Sequence, residues 1–236
     1  MKVLAIIPAR GGSKSIPKKN LVKLCGKPLL AYSIETALIC PTIDRLIVSS
    51  DNKEIMDVAI EYGAEVPFIR PKELAQDDTL DLPVFIHCLK YLKENEGYEP
   101  DIIVQLRPTS PLRSEDMVEK GIQLLLDHPK ADSVRAVCSP SQNPYKMWTI
   151  TKDGYLNPLV DISIEEPFNQ PRQALPDVFW QNGYVDVTRT STIIEKNSMT
   201  GKKILPLIVD SREIIDIDNE LTFKFAEMIY LSNKSK

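Results

Sequence analysis

Arg10, Lys14, Lys18 and Lys19 surround the dipeptide Gly11-Gly12 in the string Ala9-Arg10-Gly11-Gly12-Ser13-Lys14 and the residues that follow it. Adjacent glycines let successive backbone N–H groups converge on one point without interference from Cβ atoms, and four cations ring that point, so the chemistry on offer is polyphosphate binding. The spacing matches neither G-x-x-x-x-G-K-[ST] nor G-x-G-x-x-G, which removes support for a Walker-type ATPase or a dinucleotide-dependent dehydrogenase. A solvated basic turn has the same composition and stays open on these residues alone.

Other residues could complete a site. Asp216 and Asp218 lie two apart, so in an extended segment both carboxylates leave one face while Ile215 and Ile217 turn inward. Such a pair can hold a hard divalent cation, or Asp218 or Asn219 can cap the helix that follows. Arg107, Lys146 and Arg172 suit a carboxylate or phosphate, with exposed surface cations as the alternative. Asp81 opens a helix, where a carboxylate favours the helix dipole. His87, His128 and Cys88 read as structural, whereas Trp148, Tyr155, Phe168 and Phe179 fit a pocket wall and an interface core equally well.

The elements that position these residues follow from periodicity. The run from Val3 to Ile7 is a buried strand, and Pro28 opens an apolar helix that continues to Leu38. A strand at 45–49, a helix at 52–62 ended by Gly63, and a strand at 65–69 complete a βαβαβ pattern with a largely parallel sheet. A helix at 80–94, a strand at 101–106, a helix at 114–126 and a strand at 133–138 extend it. Asp153-Gly154 turns a β-hairpin, and the Pro-, Asn- and Gln-rich stretch to Pro176 is long enough to be functional or an interface. Strands at 178–188 and 204–209 and an amphipathic helix at 220–231 close the chain. Ligands of open α/β sheets bind beyond the carboxyl ends of strands, so the first loop and the loop 107–113 face one crevice.

The 236 residues suffice for one domain with a small appendage, and a formal charge of −4 argues against a nucleic-acid partner and for a small anionic substrate. Cys25, Cys40, Cys88 and Cys138 have no C-x-x-C pairing and sit mostly in apolar segments, as buried free thiols do. No leader-like segment precedes Val3 and no apolar run is long enough to span a bilayer, so a cytoplasmic protein without a membrane partner is expected.

Four strings carry a resemblance: IPARGGSKSIPKKN at 7–20, QLRPTSPLR at 105–113, NQPRQALP at 169–176 and DIDNE at 216–220. In this order they are similar to the acylneuraminate cytidylyltransferases, which make CMP-sialic acids. The resemblance implies an α/β Rossmann-like nucleotidyltransferase fold, three-layer α/β/α, as a single domain over 1–236, with 140–177 projecting to form a homodimer. It implies transfer of CMP from CTP to a sialic-acid-like nonulosonate. Arg10, Lys19, Asp216 and Asp218 are implied as catalytic, with the two aspartates holding Mg2+ or, in its place, Mn2+. Ala9, Arg10, Gly11, Gly12, Ser13, Lys19, Asn20, Arg70, Asp81 and Arg107 are implied for the nucleotide, and Arg107, Thr109, Ser110, Lys146, Gln170 and Arg172 for the acidic keto sugar. Sialic acid enzymes commonly read LQPTSPLR where this chain has LRPTSPLR, so Arg107 replaces a neutral amide and leaves the acid open. Legionaminate, pseudaminate and 3-deoxy-manno-octulosonate are the alternatives, followed by a sugar-1-phosphate nucleotidyltransferase or a nucleotide-binding protein without turnover.

Overall fold

Val3–Pro8, the apolar run before the basic loop, forms β1. The computed structural model describes residues 1–114, 116–211 and 214–234. A two-stranded ribbon, β2 (Lys23–Leu24) and β3 (Lys27–Pro28), follows the loop, and Pro28 leads into α1 (Leu29–Ile39). Next come β4 (Arg45–Ser49) and α2 (Lys53–Glu61), where the Asn52 side chain caps α2 by accepting from Ile55 N. The chain continues through α3 (Asp81–Glu96), β5 (Ile102–Gln105), α4 (Asp116–Leu126) and β6 (Ser133–Cys138). The hairpin β7 (Trp148–Ile150) and β8 (Leu156–Pro158) precedes β9 (Trp180–Arg189), α5 (Thr190–Ile194), β10 (Ile204–Ile208) and α6 (Glu220–Lys234).

Six strands make one sheet in the order β10-β6-β9-β5-β1-β4. β1 runs parallel to β4 and β5, and β10 parallel to β6, while β9 is antiparallel to both its neighbours. The reversal follows from the insertion: the chain leaves β6 at Cys138 and returns as β9 at Trp180, which pairs with Cys138, so it re-enters at the end it left. Alternation along the strands divides the core between two faces. Val3, Ala5 and Ile7 pack under α1, α2 and α4, while Leu4 and Ile6 pack under α3 and α5. This is the three-layer α/β/α arrangement expected from the sequence.

Two expectations require correction. The strand at 65–69 is reduced to one parallel bridge between Ile47 and Glu65, because Pro67 has no N–H with which to continue the ladder. The short helix α5 was not foreseen. The cysteine reading holds closely: Cys40, Cys88 and Cys138 are buried and Cys25 is half-buried, all four as free thiols. Among the described residues no helix is long and apolar enough to cross a membrane.

β9 carries a large bulge. Arg135 pairs with Asp186 and Val137 with Gln181, so residues 182–185 face the single residue Ala136. Gly183 makes this possible with φ of +66°, and a Cβ there would lie 3.0 Å from Arg107 Nη1. Gly183→Ala is expected to cost about 1–3 kcal/mol, from left-handed strain and displacement of Arg107. Chemical denaturation checks this, and an unchanged midpoint would show that the bulge relaxes freely.

Candidate active site

The carboxyl ends of β1 and β5 and the start of α3 enclose a cleft of about 440 Å3. Arg10, Gly12, Ser13, Lys19 and Asn20 line it from the first loop, Arg70 and Asp81 from the second side, and Arg107, Pro108 and Thr109 from the loop after β5. The two loops therefore share one crevice, as strand polarity predicts.

The first loop is held from behind. Ala9 N donates to Ser49 O at 2.9 Å, and Ala9 is buried beneath the cleft. Gly11 N donates to Asp51 Oδ1 at 2.8 Å, and a Cβ at Gly11 would come within 2.8 Å of Asn52 Cβ. Glycine is needed there for close approach to the start of α2, and its N–H serves Asp51 rather than converging with Gly12 on a ligand, which corrects the sequence reading. Lys18 also leaves the expected ring of cations: its Nζ pairs with Glu54 at 2.7 Å, and it does not line the cleft. Asn20 Nδ2 donates to Arg10 O at 2.9 Å, fixing the curvature of the loop.

On the facing side, Arg70 Nε donates to Ser49 Oγ at 3.0 Å, Nη2 contacts Ser49 O, and Nη1 reaches Leu74 O at 3.5 Å. Burial pushes its guanidinium down to about 10, yet it stays a cation at neutral pH. Arg70 thus brings charge to the cleft from a side chain fixed by backbone and hydroxyl acceptors.

The floor is a chain of charges. Arg107 Nη2 meets Asp81 Oδ2 at 2.9 Å and its Nη1 meets Asp186 Oδ2 at 2.6 Å, while Arg135 Nη1 meets the same Asp186 oxygen at 2.5 Å. Gln105 Nε2 donates to Asp81 Oδ2 at 2.7 Å. Burial alone would lower the Arg107 pKa, but Asp186 and Asp81 outweigh it and raise the value. The cation that replaces a neutral amide in this motif is therefore matched by two carboxylates. Asp81 stands in the first turn of α3 and at the cleft surface at once, so its helix-dipole role and a ligand-facing role coexist.

Arg113 anchors the loop 107–113 from inside. Its guanidinium reaches Tyr184 O, Ser33 Oγ at 3.1 Å and Arg107 O at 3.0 Å, and burial pushes it down to about 10. Ser110 is buried in that loop with its hydroxyl unpartnered, and Thr109 reaches the cleft.

Asp216 and Asp218 are not among the cleft residues, but their segment bonds to two that are, Thr109 and Lys19. Ile217 N donates to Thr109 O at 2.8 Å, and Lys19 Nζ donates to Ile217 O at 2.9 Å and lies 3.5 Å from Asp218 Oδ1. The Asp216 pKa is raised: burial raises it most, a Thr109 hydrogen bond opposes this, and the Asp218 charge adds to it. Asp216 Oδ1 is buried without a partner. The capping alternative falls to Asn219, whose Oδ1 accepts from Thr222 N at 2.9 Å while Thr222 Oγ1 accepts from Asn219 N at 3.1 Å. Asp218 is therefore not the cap.

Lys146, Gln170 and Arg172 are not among the cleft residues. They meet within the insertion instead: Lys146 Nζ donates to Gln170 O at 2.7 Å, and Arg172 Nη2 donates to Ser139 Oγ at 2.9 Å and Pro140 O at 2.8 Å. Trp148 and Phe168 pack in the same segment with ring centroids 4.3 Å apart and planes tilted by 46°, and neither lines the cleft. Sequence reasoning missed Asp77, Gln105, Arg135 and Asp186. The last two had a signal, since a charge inside each of the apolar runs SVRAVC and YVDVT is buried by its strand and needs a partner.

Comparison with known proteins supplies four matches. A family model described as Cytidylyltransferase matches residues 4–198. The chain is 32% identical to the CMP-N,N'-diacetyllegionaminic acid synthase of Legionella pneumophila, covering 99% of this chain and 98% of the relative. It is 30% identical to the pseudaminic acid cytidylyltransferase of Campylobacter jejuni, again over 99% and 98%. Its fold is shared with a CMP:2-keto-3-deoxy-manno-octonic acid synthetase solved in complex with CTP, at TM-score 0.73 and 16% identity over 99% of this chain and 100% of the other.

If Arg107 is the keystone of the floor, Arg107→Ala leaves Asp186 with one arginine and Asp81 with none. A cost of about 3 kcal/mol is expected, as for breaking a buried pair from one side. Urea titration checks this, and a loss under 0.5 kcal/mol would make Arg107 an ordinary cleft cation.

Proposed function

The chain belongs to the cytidylyltransferase family, and from that premise we propose that it transfers the cytidylyl group of CTP to the anomeric hydroxyl of a nonulosonate and releases pyrophosphate. The reading rests on one juxtaposition above all: Lys19, from the basic loop, touches both the backbone and a carboxylate of the Asp216 to Asp218 segment. Polyphosphate and metal functions would thus share one rim of the cleft.

In this reading the sugar hydroxyl oxygen bonds to the α-phosphorus as the bond from that phosphorus to the bridging oxygen breaks. The electron pair leaves with pyrophosphate, and the hydroxyl proton is lost from the attacking oxygen. Arg10 and Lys19 bear on the triphosphate, and Asn20 keeps Arg10 in place through its carbonyl. No covalent enzyme intermediate is needed, so the protein contributes alignment and charge neutralisation. Gln105, Asp186 and Arg135 act through Arg107 and Asp81, fixing the charged floor on which the ligands would sit.

The residues present fit a magnesium ion. Asp216 has a buried oxygen without a partner, and Asp218 Oδ1 lies 3.5 Å from Lys19 Nζ, a residue of the cleft. Magnesium is commonly held by one or two carboxylates plus phosphate oxygens and water, a need that two aspartates meet. Asp216 and Asp218 would hold it, with manganese able to substitute. When bound, such an ion neutralises phosphate charge and acts as a Lewis acid.

Within the nonulosonates, a diacetamido acid of the legionaminate or pseudaminate type is favoured over N-acetylneuraminate. The end-to-end relatives named for those acids support this, as does the arginine at 107 where sialic acid enzymes carry an amide. The insertion would complete the site across a dimer. Its exposed Ile150, Tyr155, Leu156 and Leu159, with Phe179 and Trp180 beside it, form an apolar surface that a second copy would cover, carrying Lys146 and Arg172 toward the partner's cleft.

The test is pyrophosphate release with CTP, magnesium and a panel of 2-keto acid sugars. Turnover is expected only when all three are present, and equal use of UTP with glucose 1-phosphate overturns the assignment. Asp216→Asn and Asp218→Asn are each expected to lower kcat/KM about a hundredfold without unfolding the chain. Near-normal turnover with unchanged metal dependence in both returns them to the surface. A fully active monomer in light scattering at assay concentration removes the dimer.

A further inference from the structure

The wall facing the basic loop ends in an acid placed against the loop's cations. Asp77 Oδ1 lies 2.9 Å from Arg10 Nη1, its other oxygen contacts Lys14 Nζ, and Gln76 O accepts from the same Arg10 nitrogen at 2.6 Å. Arg10, Lys14, Gln76 and Asp77 all line the cleft. A carboxylate that engages two loop cations in this way presents the charge and paired acceptors of a phosphate group.

We propose that Asp77 is an affinity-setting residue: its carboxylate occupies the basic loop of the ligand-free protein, competes with the polyphosphate for Arg10 and Lys14, and reclaims them as pyrophosphate leaves. The inference rests on the reading of the loop as the triphosphate site and adds a residue that the reading does not contain.

Two features separate this contact from an incidental ion pair. The turn that carries Asp77 is fixed at its base, where Arg70 N donates to Ser50 O at 2.8 Å and Gln76 N donates to Thr79 Oγ1 at 3.0 Å. The acid can therefore swing on its own side chain without unfolding the wall. Its neighbour Asp78 makes no ion pair with a described residue, so of two adjacent acids one is aimed into the cleft. The contact is also weak enough to yield. The Arg10 and Asp77 side chains are 33% and 47% exposed and Lys14 is 83% exposed, a setting in which ion pairs contribute little. A ligand with several phosphate charges wins the competition, but at a reduced affinity.

The experiment is calorimetric titration of wild type and Asp77→Asn with CTP and magnesium, without acid sugar so that nothing turns over, and separately with inorganic pyrophosphate. Asp77→Asn is expected to tighten both by about three- to tenfold, the reach of one or two exposed pairs. Glu61→Gln, an equal charge change at an exposed position on α2, is expected to leave both within twofold. Equal or weaker binding by Asp77→Asn overturns the proposal, as does an equal gain from Glu61→Gln. A wild type that binds pyrophosphate but not CTP defeats the functional reading alone, because the pyrophosphate ratio still decides the role of Asp77. Binding of neither ligand defeats both. Asp77→Ser, which also removes the charge, provides a second variant if Asp77→Asn fails to fold.

Discussion

Ile217 is wholly buried, and the active end of the molecule depends on that burial. With Ile215 it enters a small apolar cluster formed by Ile16, Leu24, Leu29, Tyr32 and Ala226. This draws the segment before α6 against the loop after β1, although the two are almost the length of the chain apart. Alternation in an extended segment then turns Asp216 and Asp218 away from the apolar side. Ile217 also bonds through its backbone to Thr109 O and Lys19 Nζ, so three distant segments meet at one residue. Two buried isoleucines contribute roughly 3–6 kcal/mol. An unsatisfied polar atom such as Asp216 Oδ1 costs about 1–3 kcal/mol, so the apolar clamp can hold a carboxylate where water would not leave it.

The floor solves a different electrostatic problem. Asp186 is 1% exposed and would be costly alone; Arg135 and Arg107 both reach its Oδ2, and Arg107 carries the chain on to Asp81 at the cleft. Two acids and two arginines leave no net charge. The arginine at 107 is therefore tolerable only together with Asp81, Asp186 and a glycine at 183, whose missing Cβ leaves room for the guanidinium. These four positions form one unit, and a change at any of them reaches the cleft surface through Arg107.

The sequence revealed what periodicity and local chemistry encode. The strand at β1, the helix signals around Asn52 and Gly63, the Asp153-Gly154 hairpin and the shared crevice of two loops all follow from alternation, caps, turns and strand polarity. Less visible was whatever depends on a partner far along the chain. Gly11 read as a phosphate-cradling residue because its packing against Asn52 is tertiary, and Lys18 read as one of the cations around the loop because Glu54 lies on another element. The strand at 65–69 failed on a local fact, since Pro67 was outweighed by the apolar residues around it. Asp186 and Arg135 were legible as oddities in apolar strands but not as a pair, because pairing needs the register of β9 against β6, and a bulge sets that register.

The cleft consequently has a strong side and a weak side. Its floor is tied by buried ion pairs, by Arg113 bonded to two carbonyls and a hydroxyl, and by the strand register. The tip of its outer wall is tied by half-exposed pairs to Arg10 and Lys14, which solvent screens. When a multiply charged ligand enters, the contacts that yield are those with the smallest free energy, and these sit on the wall. The floor keeps its geometry because rearranging it would strand a charge away from water. Orientation of reacting groups thus falls to the floor and the Ile217 clamp, while exchange of the anionic ligand falls to the wall, a division set by where the chain buries its ion pairs.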